Sequence, residues 1–426
     1  MKIGDFIKVK TSNTEYEGYL MPTINNDILV IKLENGYNIG IEKNKIKKIT
    51  ILKSNKESKS KKQKIKHNKN LPTISIIHTG GTIASEVDYR TGGVIARFTP
   101  EELLKMFPEL NEIANINSVF LSNMFSEDMR FKHYSLIAKA VVKEIKKGVK
   151  GVIIGHGTDT MHYTAATLSF MLENLPVPVI LVGAQRSSDR PSSDAAINLI
   201  CAAEFITKSD FTGVGICMHE SINDDNCVIL PACKTRKLHT SRRDAFKPVN
   251  SGIIARINHK TKSMEFFYKY EKNKGPVKLF DKMEEKVALV KVHPNFMPEQ
   301  FEFFRKNKYK GLIIEGTGLG QAPVGTPNPL TKIHSKNLKA IKDLIKSGCI
   351  VVMTSQCIFG RVQMHVYSNA IDLVNIGVIP GDDMLSETAL VKLSWLIGNF
   401  GKKARDLVRE NLRGEINKRI MPDQFL

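Results

Sequence analysis

From Pro72 onward the chain repeats one unit: a short, largely apolar run, then a segment with helical spacing. The runs are 74–78, 151–155 (GVIIG) and 178–183, and between them Ile137, Val141 and Ile145 recur every four residues before Gly148, while 160–173 reads as a helix. Apolar runs of this length fit strands covered on both faces, and strand–helix–strand order lays successive strands parallel. Thr99-Pro100-Glu101-Glu102 adds an N-cap, a first-turn proline and a capping glutamate for a helix through Phe107. The expected body is therefore a parallel α/β sheet.

A second block of the same kind begins near Lys286. Strands are expected at 287–292, 311–315 and 349–353, and helices at 298–306, 335–346, 369–376 and 386–398. The polar and aromatic stretch between the blocks, with 264–270 at its centre, reads as a hairpin and crossover. The first fifty residues differ: alternating runs at 5–10, 16–20, 27–33 and 37–42, separated by Asn, Gly and Thr, predict a small all-β barrel of about five strands. Residues 53–70 then carry eight lysines against one glutamate, too little apolar surface to fold, and read as a tether. The expected domains are 1–52 (β-barrel), 53–71 (linker), 72–257 (first α/β domain), 258–285 (crossover) and 286–426 (smaller α/β domain and tail).

Composition narrows the class. The 426 residues are 42% hydrophobic, enough for a large core, yet Lys and Arg exceed Asp and Glu by 63 to 43, an excess that suits a polyanionic partner such as RNA. No apolar run, 177–182 included, approaches the ~18–20 residues of a membrane helix, and the N-terminus lacks a secretory pattern, so a cytoplasmic protein is expected. Six cysteines without a CxxC pair or a zinc-type His/Cys spacing predict reduced, mostly buried thiols, with neither disulfides nor a structural metal.

Chemistry in such sheets gathers in loops beyond the carboxyl ends of strands. Four loops qualify. His78-Thr79-Gly80-Gly81-Thr82 lets backbone approach a ligand beside a hydroxyl, although a Gly-Gly-Thr run is also an ordinary tight turn. His156-Gly157-Thr158-Asp159-Thr160 puts a hydroxyl and a carboxylate just before a helix, where Thr158 or Asp159 can equally serve as a cap. Ser126, Glu127 and Asp128 lie in a short acidic segment. Residues 234–246 carry Lys237 among several cations: an exposed basic face, or a lysine set beside a hydroxyl to take its proton. Gly316-Thr317-Gly318-Leu319-Gly320-Gln321 imitates a dinucleotide fingerprint but has Gln321 in place of the last glycine, and no GxxxxGK[ST] loop is present.

Together the loops resemble the L-asparaginase/glutaminase family of amidohydrolases. The resemblance rests on Thr79-Gly80-Gly81-Thr82-Ile83-Ala84, Ser126-Glu127-Asp128-Met129, Gly155-His156-Gly157-Thr158-Asp159-Thr160, and Lys237 with Asp244-Ala245-Phe246, and it covers roughly residues 72–398. It implies an asparaginase-like two-domain body behind the small β-domain. It also implies Thr82 as nucleophile, Lys237 as base toward Thr158, and Asp159 either binding the substrate ammonium or orienting the lysine. Ser126 and Glu127 would grip the amino acid head group, with Tyr89 on a flap and backbone N–H groups at Gly81 and Gly157 holding the oxyanion. Which threonine attacks in each half-reaction stays open. Glu127 stands where simple asparaginases commonly have glutamine.

The β-domain and the segment 237–246 resemble, within that family, the ammonia-producing subunits of tRNA-dependent amidotransferases. That implies ammonia release from glutamine or asparagine, a partner subunit of the E type that uses ATP and Mg²⁺ on Glu-tRNA(Gln), and a dimer of this chain in an α2β2 assembly, with no cofactor in this chain and no membrane. The rival readings are a stand-alone L-asparaginase with an appended β-domain, and a silent scaffold whose β-domain and lysine run bind RNA.

Overall fold

A computed structural model describes residues 1–2, 4–21, 23, 27–33, 38–54, 68–81, 85–87, 94–96, 103–104, 106–186, 192–267, 270, 272–273 and 275–425. Thr82, Tyr89, the expected cap at 99–102 and residues 55–67 of the lysine run lie outside the described residues.

Five antiparallel strands open the chain: β1 (Phe6–Thr11), β2 (Glu15–Met21), β3 (Ile28–Lys32), β4 (Asn38–Glu42) and β5 (Ile46–Lys53), in the order β4-β3-β2-β1-β5. Period-two alternation sends Ile7, Val9, Leu20, Leu29, Ile31 and Ile41 into one small core. On the other face of β1, Lys8 and Lys10 reach Glu15 and Glu17 at 3.0–3.1 Å. Exposed pairs of this kind add little against solvent screening, whereas a buried aliphatic side chain contributes roughly 1.5–3 kcal/mol; the core therefore holds the sheet.

The body is built on an eight-stranded sheet. Its strands are β6 (Thr73–His78), β7 (Asn115–Phe120), β8 (Gly151–Gly155), β9 (Pro178–Val182), β10 (Gly213–His219), β11 (Asn226–Pro231), β14 (Ala255–Asn258) and β15 (Met264–Phe266), and a separate two-stranded ribbon joins β12 (Thr235–Lys237) to β13 (Phe246–Pro248). The order is β15-β14-β11-β10-β9-β8-β6-β7, parallel from β7 through β10 and antiparallel beyond. The chain leaves β6 for β7 on one side and returns to β8 on the other, so the order reverses between β6 and β8. Ligands of open α/β sheets bind in the crevice at the carboxyl ends of such a pair.

The apolar runs are explained by cover on both faces. Val152 and Ile154 of β8 face one layer with Leu181, while Ile153 faces the other with Ile74, Ile76 and Ile180. Helix α1 (Phe131–Ile145) closes the first layer with Tyr134, Ile137, Ala138 and Val141, the expected i, i+3, i+4, i+7 stripe, and Gly148 follows at φ +81° where the helix has ended. Helix α3 (Ala195–Lys208) closes the second with Leu199, Ile200 and Phe205. Two expectations need correction. The helix placed at 160–173 is α2 (Met161–Met171); Leu172 and Glu173 leave it to pair with Leu279 and Lys278. Met264–Phe266, expected in a crossover hairpin, is the edge strand of the main sheet, anchored by Met264 against the second layer.

The second sheet is wholly parallel, β16-β17-β18-β19 (Val287–Lys291, Gly311–Gly316, Ile350–Ser355, Ile379–Pro380). Helices α4 (Glu299–Lys306), α5 (His334–Lys346) and α6 (Ser368–Asn375) cover one face with Phe301, Ile341, Leu344 and Leu373. Helix α7 (Ser386–Phe400) covers the other and packs on α2, with Trp395 stacked on Phe170 at 5.5 Å between ring centroids. Ile313 and Val352 of this sheet thus share a core with Val152 and Leu181 of the first. The six cysteines are free, five buried and Cys357 exposed. No helix among the described residues is long and apolar enough to cross a membrane.

Candidate active site

Three loops meet where β6 and β8 end. Thr79 is tied to the neighbouring strand twice, its N–H and hydroxyl both donating to the Gly155 carbonyl at 3.1 and 2.9 Å, and its own carbonyl accepts from the Ser122 hydroxyl at 2.9 Å. Gly81, at φ +82°, lies so close to the second loop that a Cβ there would stand 2.6 Å from the Gly157 nitrogen; a Cβ on Gly157 would stand 2.9 Å from that of Ser126. Side chains at either position would push the loops apart, so glycine is required by close approach of backbone. Ser126 is buried at the start of a single 3-10 turn, Ser126–Asp128, while Glu127 and Asp128 are exposed.

His156 sets the second loop. Its Nδ1 lies 2.6 Å from the Gly157 carbonyl, which can only accept, so Nδ1 carries the proton and Nε2 accepts from the Thr164 hydroxyl at 2.8 Å. Burial holds this imidazole neutral, its pKa lowered to about 4. Thr160 donates to the Ser126 carbonyl at 2.6 Å, which stitches the second loop to the third. Neither Thr158 nor Asp159 caps α2, whose N-cap residue is Thr160 without a side-chain cap bond.

Both side chains turn instead to Lys237. Its Nζ lies 2.9 Å from Thr158 Oγ1 and 2.7 Å from Asp159 Oδ1, donating to both. The lysine side chain is 10% exposed and the aspartate 65%, so the cation is sheltered while the carboxylate still faces outward. Beside the lysine opens a recess of about 360 Å³ lined by Asp159, His162, Tyr163, Arg236, His239 and Glu387. Burial, then the Arg236 cation, lowers the His162 pKa to about 3, and burial raises that of Glu387. Arg236 pairs with Glu387 at 3.0 Å.

Of the residues singled out in the sequence, the fold brings Gly81, Ser126, Gly157, Thr158, Asp159 and Lys237 to one place. Glu127 is nearby in the chain but exposed, and Thr82 and Tyr89 lie outside the described residues. Sequence reasoning quoted Thr79, His156 and Thr160 without a role for them and missed Ser122 and Thr164, the other two members of this supporting set. The i, i+8 pair His156 and Thr164, reaching from the loop to the end of the first turn of α2, was the one local signal for it. The stretch 234–246 is not a plain basic face, because Lys234 is buried at 1% exposure against Asp383. The fingerprint-like turn after β17 spends its amides on itself: Thr317 and Gln321 exchange N–H···O bonds at 2.9 Å, and Gly320 donates to the Thr317 carbonyl. Among the described residues no group of three or more His, Cys, Asp or Glu side chains is placed to hold a metal ion.

A hydroxyl, a lysine and a carboxylate thus meet at the switch point of a two-domain α/β body, and comparison with known proteins gives the class: an amidohydrolase fold of the asparaginase type. Residues 73–272 match the family described as "Asparaginase, N-terminal", 286–410 the "Glutaminase/Asparaginase C-terminal domain" and 1–52 the "GatD N-terminal domain". The L-asparaginase from Thermococcus kodakarensis superposes with a TM-score of 0.72 at 27% identity over 82% of this chain and 100% of its own. L-asparaginase I from Vibrio cholerae does so at 0.69 and 27% over 82% and 99%. The D subunit of glutamyl-tRNA(Gln) amidotransferase from Pyrococcus furiosus is 46% identical over 100% of this chain and 97% of its own length. That from Methanococcus maripaludis strain S2 is 46% identical over 99% of each. The chain belongs to the family of glutamyl-tRNA(Gln) amidotransferase D subunits.

Proposed function

We propose that the chain is the amidase subunit of a tRNA-dependent amidotransferase, releasing ammonia from the side-chain amide of glutamine, or of asparagine, for conversion of Glu-tRNA(Gln) to Gln-tRNA(Gln). The observation that carries this reading is the Lys237–Thr158–Asp159 contact set at the mouth of the β6/β8 crevice. An amide carbonyl resists water, and a positioned hydroxyl overcomes this by forming an acyl-enzyme from which ammonia departs before water releases the acid. Thr82 is the proposed nucleophile of the first step: its oxygen bonds to the carbonyl carbon, its proton ends on the nitrogen that leaves as ammonia, and water later returns a proton to it as the acid is released. Lys237, as the free amine, takes the Thr158 proton across the same 2.9 Å along which its ammonium donates in the resting site. The outward-facing Asp159 carboxylate receives the substrate ammonium, with Ser126 and Glu127 at the head group and Tyr89 on the flap. Backbone N–H groups of Gly81 and Gly157 face the oxyanion.

The partner is a subunit of the E type that binds ATP and Mg²⁺ and activates Glu-tRNA(Gln), in an α2β2 assembly in the cytoplasm. The excess of 63 basic over 43 acidic side chains suits an RNA-bearing complex. The test is ammonia release from glutamine and asparagine by the purified chain, alone and with partner, ATP, Mg²⁺ and Glu-tRNA(Gln), with Thr82→Ala as blank. Release that rises strongly only in the complete mixture is expected; equal release by the chain alone favours a free-standing asparaginase, and no release in either favours the scaffold.

A further inference from the structure

The ribbon that carries Lys237 is too small to fix it. β12 has three residues and pairs with three of β13, through Thr235↔Pro248, Arg236↔Lys247 and Lys237↔Phe246, and a lone two-stranded ribbon is marginal in water. Its own domain supplies the Thr235 hydroxyl bond to the Pro231 carbonyl at 2.7 Å, the Lys247 bond to the Glu220 carbonyl at 2.8 Å and the burial of Phe246; the side-chain bonds on the strand that carries Lys237 and on the residues leading into it come largely from the other domain. Working back from Lys237, the Arg236 guanidinium pairs with Glu387 at 3.0 Å, and the buried Lys234 ammonium donates to Asp383 Oδ2 at 2.6 Å and to the Asp383 carbonyl at 2.9 Å. The Cys233 carbonyl accepts from the Thr388 hydroxyl at 3.0 Å. All three partners lie in residues 383–388, at the start of α7.

Asp383 is itself clamped. Its Oδ1 accepts from the Asn417 backbone N–H and its Oδ2 from the Asn417 side-chain amide, both at 2.9 Å, and that amide also donates to the Asn250 carbonyl at 2.5 Å. Asn250, in the left-handed region at φ +52°, binds Gly360 by two reciprocal bonds of 2.9 Å. The carboxylate is fully buried and accepts three bonds, one at Oδ1 and two at Oδ2, which fix its orientation.

We infer that Asp383, with Glu387 beside it, is a positioning residue for the amidase: the start of α7 sets the register of the β12 ribbon so that the Lys237 amine reaches Thr158 and Asp159 at once. This rests on the role given to Lys237 above. Displacement of a catalytic group by about 1 Å costs on the order of 100-fold in rate, and while the buried Phe246 ring and the Lys247 bond anchor β13, the charged side chains that precede Lys237, those of Lys234 and Arg236, are held from the start of α7.

The experiment measures kcat and KM for ammonia release from glutamine by the full chain with its partner subunit. The variants are Asp383→Asn, Glu387→Gln, Lys237→Ala and Leu344→Ala, each assayed where circular dichroism shows it folded. Leu344 is a buried core residue of α5 away from the ribbon. Asp383→Asn should lower kcat about ten- to hundredfold and Glu387→Gln about three- to tenfold with KM within about twofold, whereas Leu344→Ala lowers the melting temperature and leaves kcat unchanged. An inactive Lys237→Ala beside wild-type kcat in both Asp383→Asn and Glu387→Gln overturns the inference alone; if Asp383→Asn does not fold, Glu387→Gln decides. Full activity of Lys237→Ala overturns the reading of the site, and the inference with it.

Discussion

Lys237 and Thr158 stand 79 positions apart in the chain and 2.9 Å apart in space, joined nitrogen to hydroxyl at the edge of a crevice. Every element between them is needed to close that distance: α2 and β9 carry the chain away, β10 and β11 return it, and the β12 ribbon delivers the lysine.

Removing the amine while keeping most of its bulk tests that contact. Lys237→Met should lower ammonia release by about 10²–10⁴, the usual worth of general acid–base help, with the far-ultraviolet spectrum intact. A loss of threefold or less would remove Lys237 from the chemistry.

Gly81 should be intolerant for a steric reason that a second glycine isolates. Gly81 and Gly148 share a left-handed backbone, φ +82° and +81°, but a Cβ on Gly148 meets nothing within 4 Å while one on Gly81 meets Gly157 at 2.6 Å. Gly148→Ala should cost only the backbone term, roughly 1–2 kcal/mol, and keep activity. Gly81→Ala should cost more in a denaturant melt and abolish ammonia release. Equal effects of the two substitutions would contradict the packing described.

Three buried histidines tie stability to pH. Burial lowers the pKa of His78 and His156 to about 4 and that of His162 to about 3. The unfolded chain, with histidines near 6.5, therefore binds protons first as the pH falls. Stability from these groups is complete above pH 6.5 and declines from there toward pH 4 and below, by about 1.4 kcal/mol per pH unit for each histidine. Denaturant melts between pH 7 and 4 should show the slope, and His162→Gln should reduce it by one histidine's share. An unchanged slope would mean that the ring is not held neutral.

Much of this was legible in the sequence, and the exceptions are informative. The strands at 74–78, 151–155 and 178–183 were plain because burial on both faces leaves few polar positions, Ser75 and His78 being the exceptions, and α1 because its stripe is regular. The ends of α2 were not, since Thr160 spends its hydroxyl on Ser126 rather than on a cap, and Leu172 and Glu173 are drawn into a strand pair by residues 278–279. At the site, glycines and hydroxyls stood together in short motifs, so Gly81, Ser126, Gly157, Thr158, Asp159 and Lys237 could be named. The buried partners of the lysine ribbon, Asp383 and Glu387, could not: they come from the other domain, nearly 150 residues on, where an aspartate before a helix looks like any other.

The tail offers a stability test of its own. Lys392 of α7 and Glu415 are both fully buried and 2.6 Å apart. Lys392→Met strands a buried carboxylate and should cost about 3–5 kcal/mol; adding Glu415→Gln, which removes the charge and keeps one acceptor oxygen for the Leu412 or the Arg413 N–H group, should recover part of the loss. A double variant no more stable than the single would show that charge is not the cause.

The most direct test of the central claim follows the amide nitrogen. Glutamine labelled with ¹⁵N at its side-chain amide is supplied to the chain with its partner, ATP, Mg²⁺ and Glu-tRNA(Gln), and the amino acid released from the tRNA is weighed by mass spectrometry. The account predicts ¹⁵N in the amide of that glutamine, lost in Thr82→Ala, where an added ¹⁵N-ammonium salt restores labelled glutamine on the tRNA. Labelled ammonia that accumulates free while the tRNA-borne residue remains glutamate would contradict it.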